Sequence, residues 1–256
     1  MFKTEDESNP GTITAHSGSA SYSAGIGTVP YLVAETGYTG NYVFESGNVN
    51  AQGGIGGAGI GGGWCAVVDG TTINGGTIVA SSQGRAAGIG SARGGEVSNI
   101  TINGETVTAT GGASDKFGAA GIGGGGNEND SRVCVSGIRI TGGTVTATAG
   151  EITRSNSGAG IGSGGNEAVR DITISGGVVT ATGKAGGAGI GSGSEAGFAQ
   201  NITISGGTIE ATGSGSNDSE RGPGIGSAVG TSQAGIITYE HTTNINISGG
   251  RIEATG

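Results

Sequence analysis

One block of sequence recurs along the whole chain and leaves few folds open to it. Its first half reads Ile-Thr-Ile-Ser/Asn-Gly-Gly-Thr-Val/Ile, and its second half reads Ala-Gly-Ile-Gly. Self-similarity at a period of about 30 residues is typical of a solenoid, in which each repeat buries its apolar side chains only against its neighbours. The second half begins at seven places, namely Ala24, Ala58, Ala87, Ala120, Ala159, Ala188 and, with proline in place of alanine, Pro223.

The spacing inside the block indicates one rigid connection and two elastic ones. The last Ile of the first half precedes the next Val or Ile by five residues in every copy, as in Ile174 and Val179. The following stretch, up to the Ile of Ala-Gly-Ile-Gly, varies from 11 to 16 residues, and the stretch after that varies from 13 to 22. We therefore predict three short strands in each coil (one full turn of the chain), with a tight Gly-Gly corner joining two of them.

Alternation of apolar and polar residues assigns the faces of these strands. In the segment 144–148, Val145 and Ala147 point inward and three threonines point outward, and Ile172 and Ile174 point inward in the same way. This predicts an all-β, right-handed parallel β-helix of about seven to eight coils with three sheets, because parallel crossovers are almost always right-handed. Residues 1–256 form one repeat domain, with residues 28–47 as an insertion or N-terminal cap. Because the chain stops within a repeat, we expect it to be a fragment of a longer protein.

The composition excludes several classes of protein. With 62 glycines and 4% aromatic residues, the chain lacks the side chains for an ordinary globular core. The formal net charge of −9 argues against nucleic acid and anionic membrane surfaces as partners. No apolar run reaches the length of a membrane span, so we expect no membrane insertion.

Two features resemble known β-helical proteins. An amide or carboxylate precedes the first-strand Ile by three residues, as in Asn99, Asp171 and Asn201, and this resembles the asparagine ladder of right-handed β-helix proteins such as pectate lyases, stacked at a turn. The pairing of segments 142–149 and 158–164 resembles the repeats of large secreted surface proteins of Gram-positive bacteria, and is similar to their β-helical domains described as carbohydrate-binding. The resemblance implies an adhesin-like module, secreted or on the cell surface, with a glycan or a host-cell partner and with lateral or end-to-end self-association as a further expectation. It implies no catalytic motif.

An acidic residue follows Ala-Gly-Ile-Gly in four consecutive coils. If these carboxylates stack, their mutual repulsion would favour a hard cation, so we predict a calcium site. The alternative is that they are solvated loop residues balanced by nearby arginines. The predicted ligands are Glu96, Glu128, Glu167, Glu195 and Asp130.

The long loops and the first insertion are the predicted ligand-binding surface, since recognition residues concentrate in variable loops on a rigid frame. The aromatic residues of the insertion could stack on sugars or could instead plug the open end of the core. The outer side of Ala-Gly-Ile-Gly, predicted to be bare backbone, could seat an extended glycan or another backbone, or could serve only a tight bend. The candidate residues are Tyr31, Tyr38, Tyr42, Asp115, Phe117, Arg154, Asp218 and Glu220.

Three other functions stay open. A polysaccharide lyase or hydrolase could use paired carboxylates such as Glu128 and Glu167, because two carboxyl groups about 5 Å apart suit a retaining mechanism. An ice-binding protein could use the outward threonine rows at 106–110 and 144–148. A passive stalk would use the loops only to fill space.

Overall fold

The computed structural model describes residues 11–29, 38–39, 41–114, 116–127, 133–152, 156–195, 197–215, 221–228 and 243–256. Within these ranges the chain forms strands and no helix, and the strands pair in parallel in three sheets. The chain is a right-handed parallel β-helix with seven coils and one additional strand. The predicted fold class is therefore confirmed.

Each coil contributes one strand to each sheet, except that the first coil contributes two short strands, β3 and β4, to one of them. We name the sheets after their characteristic residues. The threonine sheet contains β1 (Thr12–His16), β5 (Asn48–Gly53), β8 (Thr77–Ser82), β11 (Thr106–Thr110), β14 (Thr144–Thr148), β17 (Val178–Thr182), β20 (Thr208–Thr212) and β23 (Arg251–Thr255). The glycine sheet contains β2 (Ile26–Gly27), β6 (Ile60–Gly61), β9 (Ile89–Gly90), β12 (Ile122–Gly123), β15 (Ile161–Gly162), β18 (Ile190–Gly191) and β21 (Ile225–Gly226). The asparagine sheet contains β3 (Tyr38–Thr39), β4 (Tyr42–Phe44), β7 (Val67–Ile73), β10 (Glu96–Ile102), β13 (Val133–Ile140), β16 (Ala168–Ile174), β19 (Ala199–Ile204) and β22 (Thr243–Ile247).

The core is a set of columns in which each apolar side chain stacks on its equivalent in the next coil. Ile122 pairs with Ile89 and Ile161, and Val145 pairs with Val107 on one side. These side chains are fully buried, and they belong to one continuous cluster that runs through the solenoid. Each coil therefore depends on its neighbours for burial, as expected of a repeat protein.

The asparagine sheet contains one extra residue per coil that changes the side-chain alternation. Val97, Ile100 and Ile102 all point into the core, although strict alternation would place Ile100 outside. The residue between them, Asn99, has a φ of 58°, in the left-handed region. Asp171, Asn201 and Asn244 have φ values of 62°, 58° and 61° at the same position. Asparagine and aspartate tolerate this region better than other side chains do, which accounts for their recurrence.

The predicted ladder of amides exists, but it lies on the outside of a strand. Asn201 Nδ2 donates to Asp171 Oδ1 at 2.8 Å, and Asn244 Nδ2 donates to Asn201 Oδ1 at 2.9 Å. Asn99 Nδ2 and Ser98 Oγ both donate to Asp69 Oδ1, and these hydrogen bonds lower the pKa of that carboxyl group. Asn99 and Asp171 are exposed. The expectation that they stack at a turn is wrong, because Asn99, Asp171 and Asn201 lie within strands. The left-handed backbone at each of them turns the side chain away from the core.

Each strand of the glycine sheet is the tip of a narrow arch. The Ala159 N–H donates to the Ser163 carbonyl at 2.9 Å, which closes the base of the arch within one coil. Ile161 at the tip points into the core with 0% exposure. Gly162 follows it with a φ of 138°. The same closing hydrogen bond occurs from coil 1 to coil 6, beginning at Ala24, Ala58, Ala87, Ala120, Ala159 and Ala188.

The loops on the two sides of the arch fold over it and form a lateral lobe. We call the loop before the arch the first loop and the loop after it the second loop. In coil 3, Ala86 of the first loop and Ala92 of the second loop form an antiparallel bridge. Between coils, the Gly165 N–H donates to the Gly118 carbonyl at 3.0 Å. Gly162 and its neighbours are buried under these loops, so the prediction of a bare backbone surface is wrong.

Thr71 breaks the apolar column of the asparagine sheet, where it pairs with Ile100. It is 0% exposed, and its hydroxyl has no hydrogen-bond partner among the described residues. We expect Thr71→Val to stabilise the fold by about 1 kcal/mol, because valine keeps the shape and removes a buried hydroxyl without a partner. Urea denaturation would measure this change. A variant less stable than the parent would mean that the hydroxyl is satisfied in solution.

Candidate functional site

A groove of about 420 Å³ opens in the lateral lobe of the first four coils. Tyr22 belongs to coil 1, Trp64 to coil 2, Arg93 to coil 3 and Ser114 to coil 4. The groove therefore crosses three steps between coils, a length of about 14 Å at the usual strand spacing. Concave sites with aromatic walls and a few polar groups are typical ligand pockets.

The groove is built from two positions of the repeat that hold glycine or serine in coils 4 to 6. Tyr22 and Arg85 lie four residues before the arch Ile of their coils, and Trp64 and Arg93 lie four residues after it. In coils 4 to 6 the same positions are occupied by Gly118, Ser157, Gly186, Gly126, Gly165 and Ser194. Large side chains at these positions therefore distinguish the groove from coils 4 to 6, whereas coil 7 has Arg221 four residues before its arch Ile.

The aromatic part of the groove consists of Tyr22 and Trp64. Their ring centroids lie 5.1 Å apart with an angle of 35° between the planes. Tyr22 is 43% exposed and Trp64 is half-buried. The Tyr22 ring rests on Gly56 of the next coil, where a Cβ would collide with it. The two rings thus form a solvent-accessible platform. The absence of a side chain on Gly56 leaves room for the Tyr22 ring.

Two arginines flank this platform. The guanidinium carbon of Arg93 lies 5.7 Å from the centroid of the Trp64 ring, and that of Arg85 lies 5.8 Å from the centroid of the Phe117 ring. These distances fit cation–π contacts. Arg85 Nε also donates to Ser114 Oγ at 2.6 Å. Both guanidinium groups are therefore held in place by neighbouring coils.

Backbone hydrogen bonds between coils fix the walls of the groove. The Trp64 N–H donates to the Tyr22 carbonyl at 3.1 Å, and the Arg85 N–H donates to the Ile55 carbonyl at 3.2 Å. The Arg93 carbonyl accepts from the Cys65 N–H at 3.0 Å. A site with such fixed walls loses little conformational entropy when it binds a ligand.

The predicted ligand-binding residues lie only partly in the described chain. Tyr42 is half-buried and packs against the core, in keeping with the alternative in which the insertion closes the end of the helix. Phe117 is 7% exposed and packs on Gly126, so it supports Arg85 from within and offers little surface to a ligand. Only the backbone of Tyr38 is described, in β3. Tyr31, Asp115, Arg154, Asp218 and Glu220 lie outside the described residues.

The three described acidic residues of the predicted calcium site occupy different positions in their coils. Val97, Val135, Val169 and Ala199 form one column of the asparagine sheet. Glu96, Glu167 and Glu195 lie one, two and four residues before that column, because the second loops differ in conformation. No group of three His, Cys, Asp or Glu residues able to hold a metal occurs among the described residues. Glu128 and Asp130 lie outside them, and calcium binding stays a prediction.

The described acidic residues also differ in environment. Glu96 is exposed, whereas Glu167 is 0% exposed, with Oε2 directed at Gly124 of the preceding coil. For Glu167, the alternative in which these carboxylates are solvated loop residues is therefore wrong. Glu195 is half-buried, and burial raises the pKa of its carboxyl group, while a hydrogen bond to Asn156 lowers it.

The outer face of the threonine sheet is regular over only part of its length. Thr106, Thr108 and Thr110 pair in register with Thr144, Thr146 and Thr148. The rows are interrupted by Val79 on one side and by Val178 and Glu210 on the other. Ice binding by this face stays a prediction.

Comparison with protein families gave a match over most of the repeats. A family model described as a beta helix repeat matches residues 8–28, 45–64, 72–95, 100–126, 138–165, 172–194 and 202–236. Neither the curated proteins nor the solved structures gave a match. No helix in the described part of the chain has the length and apolarity needed to cross a membrane.

Proposed function

Because the chain belongs to the beta helix repeat family, we propose that it is an extracellular, adhesin-like module of a bacterial surface protein that binds a glycan. In this proposal the solenoid is a scaffold, and the lateral groove of coils 1 to 4 is the binding site. The resemblance of the repeats to those of Gram-positive surface proteins supports the location. The groove supports glycan binding.

The observation that carries the proposal is the pair of rings formed by the exposed Tyr22 and the half-buried Trp64. The apolar face of a pyranose packs well on an aromatic ring, and the polar edges of tyrosine and tryptophan can donate hydrogen bonds to hydroxyl groups. Gln83 and Ser114 add side-chain hydrogen-bonding groups to the same groove. The groove length of about 14 Å suits a short stretch of polysaccharide better than a single sugar.

The positions of these residues in the repeat also favour a ligand over a structural role. Coils 4 to 6 close their lobes with glycine and serine at the equivalent positions, so the frame does not need tyrosine, tryptophan or arginine there. Placing a large, half-exposed aromatic pair at such positions leaves apolar area in contact with water. A bound sugar would cover that area and recover the free energy.

The test is a glycan array followed by titration calorimetry with the parent and with Trp64→Ala. We expect the substitution to weaken binding at least about tenfold, since it removes one stacking surface. Gly56→Ala should weaken binding too, because its Cβ would displace the Tyr22 ring. Val79→Ala, an exposed apolar position 41% accessible on the threonine sheet, is the matched control and should bind like the parent.

The result also distinguishes glycan binding by the groove from the alternative functions. A folded parent that binds no glycan would favour the passive stalk or a protein partner. Binding that survives Trp64→Ala unchanged would place the site outside the groove.

A further inference from the structure

The groove has a definite direction relative to the solenoid. Its residues come from the two loops beside the arch in four consecutive coils. The arch residues of these coils pair in register, Ile26 with Ile60, Ile60 with Ile89 and Ile89 with Ile122. The loops are therefore stacked one above the other at about the 4.8 Å spacing of neighbouring strands. The groove consequently runs parallel to the axis of the solenoid.

The wall on the side of the first loop is a stack of backbone. The Arg85 N–H donates to the Ile55 carbonyl at 3.2 Å, and the Gly112 N–H donates to the Ala86 carbonyl at 2.9 Å. A Cβ on Gly84 would collide with the Ile55 carbonyl oxygen, and a Cβ on Gly112 would collide with the Gly84 carbonyl oxygen. Because no side chain separates these loops, the wall is rigid and does not bend around a curved ligand.

The apolar part of the groove belongs to coils 1 and 2. Tyr22 is 43% exposed and Ile55 is 42% exposed, and the Tyr22 ring rests on Gly56, the residue that follows Ile55. Together with Trp64 they form an apolar strip along the groove. Gln83 lies beyond the strip in coil 3, where its exposed side-chain amide has no hydrogen-bond partner among the described residues.

The shape of a polysaccharide depends on its linkages. In a β-1,4-linked chain of glucose, xylose or N-acetylglucosamine, both bonds that join a ring to its neighbours are equatorial, so the chain is an extended ribbon. The faces of the ribbon carry C–H groups, which pack well on aromatic rings, and its edges carry hydroxyl groups. An α-1,4-linked chain has one axial bond at each ring, and it therefore coils.

We infer that the ligand is an extended, ribbon-like glycan of the β-1,4-linked type, bound with its chain parallel to the solenoid axis. This inference rests on the proposed function and names its substrate class. One face of the ribbon lies on the strip formed by Tyr22, Ile55 and Trp64, and hydroxyl groups at its edge meet the Gln83 amide one coil further on. The wall and the ribbon are both straight before they meet, so neither loses much conformational entropy on binding.

The test compares oligosaccharides of one sugar with different linkages. Titration calorimetry of the parent protein uses cellotetraose and maltotetraose, which contain the same glucose units and differ only in the configuration of the linkage. Xylotetraose and chitotetraose are further ribbons, and laminaritetraose is a further curved chain. We expect the tightest ligand to be one of the three ribbons, and to bind about tenfold or more tightly than either curved chain.

Two variants test the direction of the bound glycan. Gln83→Ala should weaken binding of the best tetrasaccharide about fivefold, because it removes one hydrogen bond. The corresponding disaccharide, which covers only the apolar strip, should bind this variant like the parent in an NMR titration. Tyr22→Ala should weaken binding of both. Gln200→Ala is the matched control, since it removes the same amide from the outside of the asparagine sheet in coil 6.

The outcomes distinguish this inference from the proposed function. If Gln83→Ala affects the disaccharide and the tetrasaccharide equally, or affects neither, the direction along the axis is wrong. If a curved tetrasaccharide binds as tightly as the best ribbon, or if the glycan array shows only other classes of glycan, the ribbon is overturned and a glycan-binding module remains. If the folded protein binds no glycan, both are overturned.

Discussion

Replacing Gly162 with alanine should be among the most damaging single substitutions in this protein, with a loss of about 4 kcal/mol or more. The φ of Gly162 is 138°, a region that residues with a Cβ rarely occupy. A Cβ at this position would also collide with the carbonyl oxygen of Gly191 in the next coil, which is backbone and cannot rotate away. The unfavourable φ and the collision both act on the arch of coil 5, so coils 5 and 6 should separate there.

Urea denaturation of the variant and amide hydrogen exchange of coils 5 and 6 would measure this loss. Gly18→Ala is the matched control, because Gly18 is exposed and the nearest atom to its Cβ position, Ser21 Cβ, is 4.0 Å away. We expect the control to lie within about 0.5 kcal/mol of the parent. Similar stability of the two variants would show that coils 5 and 6 are not in close contact at Gly162 and Gly191.

The second large effect is expected at Ile122, in the column at the tips of the arches. Ile122 is 0% exposed and lies between Ile89 and Ile161. Ile122→Ala should cost about 2–5 kcal/mol, because it removes buried methyl groups and leaves a cavity between two rigid neighbours. Thermal denaturation followed by circular dichroism would measure it.

The control for this substitution is an apolar residue that lies outside the core. Val178 is 50% exposed on the threonine sheet, and Val178→Ala should change stability by no more than about 0.5 kcal/mol. If Ile122→Ala costs no more than the control, then the column is not the main source of stability.

The fold could be predicted from sequence because its determinants are local and repeated. The five-residue spacing from Ile174 to Val179 recurs in every coil, and it matches the tight corner between the asparagine and threonine sheets. Alternation correctly placed Val145 and Ala147 inside. It also correctly placed Ile172 and Ile174 inside, but it does not extend from Ile100 back to Val97, because the left-handed residue Asn99 inserts one residue into the alternation.

The groove was harder to predict, because its residues are distant in sequence and become neighbours only when the coils are in register. A signal was nevertheless available in the sequence. Trp64 is the only tryptophan, and it lies four residues after an arch Ile, where coils 4 to 6 have glycine or serine. Arg93 occupies the same position one coil later. Aligning the coils on the arch Ile would have brought these two residues together.

The way in which the loops of the lateral lobe stack also could not be predicted from the number of residues between motifs. Counting residues from the arch Ile placed Glu96, Glu167 and Glu195 near one column, whereas the register of the asparagine sheet separates them. The second loops have different shapes, and Glu167 turns into the packed interior of one of them. Loop conformation depends on contacts between coils, and the number of residues in a loop gives no information about those contacts.

The parallel register of the three sheets has a mechanical consequence. Hydrogen bonds between coils, such as those that join β14 to β17, run along the axis of the solenoid. A pulling force along this axis therefore loads the interfaces between coils one after another, and an end coil can detach while the rest stays folded. A coil with the shortest spacing, such as that from Ile60 to Ile89, would then release about 100 Å of extended chain. Under tension the module would lengthen in steps of one coil and absorb work at each step, while groove coils distant from the detached end stay intact.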